Sequence, residues 1–309
     1  MPRPFQQLPF NDVPESPRKV HPYFSAPARD VSFDSVPFGP VNVRVRVCGS
    51  GPPLLLVHGF MTSSYSFRYV IGPLGKHYTL YIPDLIGAGE SSKPRASYSA
   101  DALATSIGEL MDALGLQNVP VIGNSLGGYL CMKLALARPN LIQRLVNLHS
   151  PGVPTARMHA LRVLMAVLPS EVIVRLLVRS NPERWVHKNV HYFDDSLKSR
   201  EELRVYAAPL QTDEGLYAFT AMLREALSVA DMAQFAKTLR SLPAFPLPLQ
   251  LVYARQDLMV PPVVGERLHA LIPSADFKWL TNASHFAHVD SPEQFLSVAL
   301  PFLRIGDDR

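Results

Sequence analysis

Val119-Pro-Val-Ile-Gly-Asn-Ser125-Leu-Gly-Gly128 is the stretch whose reading decides the fold. Val119 to Ile122 is a largely β-branched run and reads as a buried strand. An apolar helical pattern follows the glycines: Tyr129, Leu130, Met132, Leu134, Ala135 and Leu136, stopped by Pro139. This is strand, tight turn, helix, with a serine at the tip. Gly123 and Gly127 stand two before and two after Ser125. The turn is strained, and glycine tolerates backbone angles and close approaches that a side chain would block. The Ser125 hydroxyl is then held at the carboxyl edge of a sheet. The Leu126 amide, at the helix start, is placed to bind a developing oxyanion. Gly-x-Ser-x-Gly alone is a common pattern, so the rest of the chain must supply an acid and a base.

Leu249-Gln-Leu-Val-Tyr253 is another apolar strand and runs into Ala254-Arg-Gln-Asp257. Asp257 sits just past the strand end, in a loop closed by Pro261 and Pro262. Phe277-Lys-Trp-Leu280 is the next strand and leads to Asn282-Ala-Ser-His285-Phe-Ala-His288. Each candidate follows a strand, so Ser125, Asp257 and His285 can meet at one edge of a parallel sheet. Chemistry divides the labour. His285 takes the Ser125 proton and returns it to the leaving group. Asp257 holds the imidazole tautomer and stabilises its cation.

The order Ser125, Asp257, His285 resembles that of α/β-hydrolase-fold serine enzymes. Two further motifs carry the resemblance: Leu54-Leu-Leu-Val-His58-Gly59-Phe60 and Tyr81-Ile-Pro-Asp84-Leu-Ile-Gly87-Ala-Gly89-Glu-Ser91. Together the motifs span about residues 40–303. The resemblance implies an α/β fold: a mostly parallel eight-stranded sheet flanked by helices, with a helical lid inserted after strand 6. It implies that the amides of Phe60 and Leu126 form an oxyanion hole. Phe60, Asn124 and Phe286 are the expected substrate contacts.

Other polar residues near these motifs have plainer readings. His58 ends a buried strand and is expected to anchor a loop. His288 rivals His285 as base but lies further along, where a supporting role is expected. Asp84 is expected to brace its loop, and Asp290 only to precede the final helix. Asp231 rivals Asp257, but no strand leads into it. Ser291-Pro-Glu-Gln294 reads as that helix's start, with serine as N-cap, proline first and glutamine third.

With 309 residues, 47% of them hydrophobic, the chain can bury a sizeable core. The net charge is +4 and the pI about 9.1. Basic and acidic residues are interspersed, which excludes the basic run of a nucleic-acid binder. The two cysteines, Cys48 and Cys131, form no disulfide framework. Cys131 reads as a small buried apolar residue. No metal-ligand spacing is evident, and no metal or cofactor is expected. Met1 to about Arg29 is proline-rich and lacks the apolar core of a signal peptide. It reads as an arm, residues 1–30, lying over the body. No segment reaches about 18 uncharged apolar residues, so no transmembrane helix and a cytoplasmic location are expected.

Strand–helix alternation stops between about Val153 and Ala244. Leu161, Val163, Leu164, Val167 and Leu168 form one apolar set. Val172, Ile173, Leu176, Leu177 and Val178 form another. Further helices are expected over Ser199–Ala207 and Gly215–Leu227. The resemblance makes 153–243 a lid on a catalytic core formed by 31–152 and 244–309. The aromatic residues Trp185, Tyr192, Phe193, Tyr206, Tyr217 and Phe219 point to a largely hydrophobic pocket.

The expected reaction is acyl transfer to water, with a small apolar ester as substrate. Carbon–carbon bond hydrolysis of the meta-cleavage-product type is the alternative. Gly123-Asn-Ser-Leu-Gly-Gly128 and Phe193-Asp-Asp-Ser-Leu-Lys-Ser-Arg-Glu-Glu-Leu203 resemble that group. Phe286 stands where that group has tryptophan, and Tyr206-Ala207-Ala208 where it has a lid arginine. Thr62-Ser63-Ser64-Tyr65 and Asp84-Leu-Ile-Gly87 resemble haloalkane dehalogenases and epoxide hydrolases, but those use an aspartate where Ser125 stands. A non-catalytic ligand-binding homologue is the reading from another class.

Overall fold

A computed structural model describes residues 4–155, 176 and 178–304. Eight strands form one sheet: β1 (Ala28–Ser35), β2 (Gly39–Gly49), β3 (Pro53–Val57), β4 (Thr79–Pro83), β5 (Val119–Asn124), β6 (Ile142–Leu148), β7 (Leu249–Ala254) and β8 (Asp276–Leu280). Their order is β1-β2-β4-β3-β5-β6-β7-β8. β2 runs antiparallel to β1 and β4, and the other pairings are parallel. β1 starts at Ala28, slightly inside the expected arm.

The central strands are mostly apolar because both faces are covered, polar positions such as Gln143, Arg144 and Asn147 in β6 being the exceptions. Successive side chains point to opposite faces. Leu55, Val57, Val121, Leu145 and Leu251 pack into one core, and Leu54, Leu56, Ile122, Val146 and Val252 into the other. Pro120 sits inside central β5, where its missing N–H would break a ladder. The β5–β6 register shifts between Val119 and Pro120, which absorbs the gap.

Helices α1 (Ile71–Gly75), α2 (Ala100–Ala113) and α3 (Leu126–Ala137) precede β6. Four described helices lie between β6 and β7: α4 (Pro182–Asn189), α5 (Arg200–Ala207), α6 (Asp213–Glu225) and α7 (Val229–Ser241). Side chains of Asn181, Ser199, Thr212 and Ser228 cap their first turns. α5 and α6 stand close to the expected bounds. α4 and α7 were not expected: their apolar stripes are short, and their caps are the clearer signal. Leu176 and Val178 are described; the other apolar positions picked out between 161 and 177 lie outside the described residues. α8 (Pro262–Leu271), α9 (Ala287–Asp290) and α10 (Pro292–Arg304) complete the chain. Gln294 does not cap α10; its side chain accepts from the Thr281 amide at 2.8 Å.

α7 docks on α3, where Asp231 takes the Tyr129 hydroxyl and the Lys133 ammonium, each at 2.6 Å. α5 is tied to the core by a fully buried pair, Arg68 Nη2 to Glu202 Oε1 at 3.1 Å. The segment before β1 runs along this helical region. The Leu8 amide donates to Asp195, the Arg200 amide to Pro14 O and the Glu201 amide to Glu15 O. Among the described residues, no helix is long and apolar enough to cross a membrane.

Candidate active site

Ser125 joins β5 to α3 with φ +52° and ψ −123°. A non-glycine residue persists in that region only where its surroundings hold it. Its neighbours do so by close approach. A Cβ on Gly123 would stand 2.6 Å from the Gly128 Cα. One on Gly127 would stand 2.4 Å from the carbonyl oxygens of both Val57 and His58. α3 therefore starts hard against the end of β3, and Leu126, in its first turn, has an amide with no acceptor inside the helix.

The loop after β3 reaches the same point. A Cβ on Gly59 would lie 2.9 Å from Ser125 Cβ. Phe60 follows, and Met61 turns the chain with φ +65°. His58 anchors this loop, as expected. Its Nδ1 donates to Gly59 O at 2.8 Å, and its Nε2 accepts the Leu85 amide at 2.9 Å. Burial lowers its pKa, against the pull of Asp84. Asp84 braces its own loop, accepting from the Ser64 and Glu90 amides at 2.8 Å each.

Asp257 and His285 meet. His285 Nδ1 donates to Asp257 Oδ2 at 2.7 Å, and both residues are buried. Asp257 Oδ1 closes its own turn by accepting the Met259 and Val260 amides at 2.7 and 2.9 Å. One oxygen is thus spent on the loop and the other is left for the imidazole. Burial would raise the Asp257 carboxyl, but the charge and hydrogen bond of His285, with His149 and the Val260 amide, outweigh it and hold the group below the usual aspartate range.

Asn124 links the serine to the histidine. It is fully buried, and its Nδ2 donates to the carbonyls of Leu148 and His285 at 3.4 Å each. The Asn124 amide nitrogen is thus turned to backbone. Its Oδ1 is buried without a hydrogen-bond partner among the described residues. Phe286 follows the histidine. It is 3% exposed, packed edge-on against Tyr192 and His285 at 5.6 and 5.2 Å between ring centres. Phe60 is half-buried, stacks on Phe219 of α6 at 4.9 Å, and lines a cavity with Met61, Thr62, Tyr206, Leu210 and Met222. Trp185 of α4 meets Phe219 edge-on at 5.1 Å.

His288 is fully buried against Phe67, and burial drives its pKa well below the usual range. Such a group stays neutral and supports rather than exchanges protons. Asp231 lies on α7, bound to α3.

Two residues escaped the sequence reading. Asp290 does more than precede a helix. It is half-buried and accepts the Ser284 amide at 3.2 Å and the Phe193 amide at 2.9 Å, joining the His285 loop to the segment before α5. His149 follows β6, with φ +52°, and a ring nitrogen of it lies within 4.8 Å of ligand atoms of Asp257 and His285. Its signal was available: it follows an apolar strand at the edge that carries the other site residues.

The profile of the alpha/beta hydrolase fold family matches residues 52–292. An uncharacterized Mycobacterium tuberculosis protein, Rv2715, is 27% identical over 292 residues, covering 90% of this chain and 83% of that protein. The 2-hydroxymuconate semialdehyde hydrolase of a Pseudomonas species is 27% identical over 276 residues, covering 86% and 92%. Among solved structures, a meta-cleavage product hydrolase, CumD of Pseudomonas fluorescens, superposes with a TM-score of 0.69 at 24% identity, covering 89% of this chain and 98% of that one.

Proposed function

Because the chain belongs to the alpha/beta hydrolase fold family, we propose that it is a serine hydrolase cleaving carboxylic esters of largely apolar small molecules. The observation that carries the reading is the pairing of two features: a serine held at φ +52° between close-packed glycines, and a buried Asp257–His285 hydrogen bond at 2.7 Å.

Ser125 Oγ attacks the ester carbonyl, and its proton passes to His285 Nε2. The amides of Phe60 and Leu126 hold the oxyanion. Collapse expels the alcohol, which takes the proton from His285. Water then enters, gives its proton to His285 and attacks the acyl-enzyme. The acid is released as the proton returns to Ser125. Asp257 stabilises the imidazolium throughout. Residues 153–243 act as the lid over a core of 31–152 and 244–309, with Phe219 walling the acyl pocket against Phe60 and Trp185 packed on Phe219.

A second reading, carbon–carbon hydrolysis, is favoured by the likeness to 2-hydroxymuconate semialdehyde hydrolase. A dienolate carboxylate calls for a cation in the pocket. The lid arginine of the carbon–carbon hydrolases has no counterpart at Tyr206-Ala207-Ala208, which supports the ester reading.

The test is hydrolysis of p-nitrophenyl esters from acetate to laurate, with fluorophosphonate labelling and Ser125→Ala as control. Ester turnover lost in Ser125→Ala supports the proposal. Labelling of Ser125 without ester turnover turns the reading to vinylogous diketones and carbon–carbon cleavage. An inert Ser125 makes the protein a binding homologue.

A further inference from the structure

His149 sits beside the Asp257–His285 pair, yet the ester-cleaving roles leave it unused. It is fully buried at the carboxyl end of β6 and held at φ +52°, a conformation costly for a residue with a Cβ. Both its backbone and its ring reach across to β7. Its amide donates to Val252 O at 2.9 Å, and its Nε2 accepts the Ala254 amide at 2.7 Å. Ala254 is the last residue of β7 and the root of the acid loop, since its carbonyl receives the Asp257 amide.

The bond to Ala254 sets the tautomer. Nε2 offers its lone pair, so the proton of the ring is on Nδ1. That Nδ1 is buried and meets no partner in close hydrogen-bond geometry among the described residues, while the His285 backbone lies near enough to act on the ring. The His149 ring centre is 5.6 Å from that of His285, and a ring nitrogen of each histidine and a carboxylate oxygen of Asp257 lie within 4.8 Å of one another. Three such groups at this spacing could suggest a metal site. The tautomer argues otherwise. The lone pair of Nε2 is taken by Ala254, Nδ1 carries a proton, and Asp257 Oδ2 is taken by His285.

We propose that His149 is a positioning residue for the Asp257–His285 pair, pinning the root of the acid loop through Nε2 and presenting its Nδ1–H dipole to the buried pair. The inference rests on the serine-hydrolase reading. Burial also pushes the His149 pKa down to about 3, so the ring stays uncharged and does not compete with His285 for protons. A strained backbone and a buried N–H held only loosely by the His285 backbone are both unfavourable by themselves. They are explained together if the ring must stand beside the pair.

The test needs no natural substrate. Fluorophosphonate inactivation of the whole protein gives kinact and KI, and proton NMR gives the downfield resonance of the His285 Nδ1–H shared with Asp257. His149→Phe removes both the acceptor and the donor. It is expected to lower kinact roughly 10- to 100-fold, the cost of misplacing a reacting group, with KI little changed and the downfield resonance moved or lost. His149→Asn keeps a donor near Nδ1 and suits the left-handed backbone, so it should retain more of the rate. If His149→Phe does not fold, His149→Gln decides. It can still meet the Ala254 amide but has nothing at Nδ1, and the same loss is expected. A folded His149→Phe or His149→Gln with wild-type kinact and an unmoved resonance overturns the inference while leaving the hydrolase reading intact. A wild-type protein that never labels at Ser125 overturns both.

Discussion

Asp257 and His285 stand 28 residues apart in sequence, and their side chains share a 2.7 Å hydrogen bond inside the protein. An amide in place of the carboxylate would leave the imidazole wrongly oriented or in the wrong tautomer. Asp257→Asn should therefore lower kcat roughly 10⁴-fold with little change in KM. Steady-state kinetics on the best p-nitrophenyl ester checks this. A loss under tenfold would mean that another group serves as the acid.

Asp290 gives a pH dependence of defined sign. Burial raises its carboxyl to about 6, against the opposing hydrogen bonds from Ser284 and Phe193. The unfolded value is near 3.8, so the folded protein holds the proton more tightly. The stability this adds is full below about pH 3.8 and is lost as pH rises through about 6. Relative to Asp290→Asn, wild type should lose about 3 kcal/mol between roughly pH 3.5 and pH 7. Urea unfolding of both proteins across that range is the measurement, and parallel curves would contradict it.

Glu202 and Arg68 are both fully buried, and Tyr192 adds its hydroxyl to the same carboxylate oxygen. Arg68 also stacks over Tyr65 and Tyr69 at 4.6 and 4.7 Å. Removing one partner strands the other charge. Glu202→Ala should destabilise the protein by about 3–5 kcal/mol, read from chemical unfolding. The double replacement Arg68→Met with Glu202→Leu should recover much of that loss, because the uncompensated charge is gone.

Phe219 closes the cavity against Phe60. Phe219→Ala should shift the best p-nitrophenyl ester to a longer acyl chain and reduce kcat/KM for the shortest. An unchanged chain-length profile would place the acyl group elsewhere.

Much of this was legible in the chain. Ser125, Asp257 and His285 each follow an apolar strand, and a strand's carboxyl end is a place that local patterning can find. The bracing roles of His58 and Asp84 were equally readable, because each lies at the end of a strand with polar loop residues beside it. What Asn124 and Phe286 pack against was not legible, because adjacency to a reactive residue does not say which way a side chain points. Asn124 alternates inward along β5 and spends its amide on two carbonyls. Phe286 turns onto Tyr192, a partner 94 residues away that no local pattern predicts.

Local patterning was enough to specify the sheet, the elbow and the chain order of Ser125, Asp257 and His285. Those depend on periodicity and on glycines at short range, and neighbours along the chain supply both. Only the tertiary structure decided what surrounds them. It set His149 beside Asp257 and His285, Asp290 between the His285 loop and Phe193, and Arg68 against Glu202. Such contacts join segments far apart in the chain, and their energy comes from excluding water around buried polar groups. That exclusion exists only once the sheet and the helices after β6 have closed on one another.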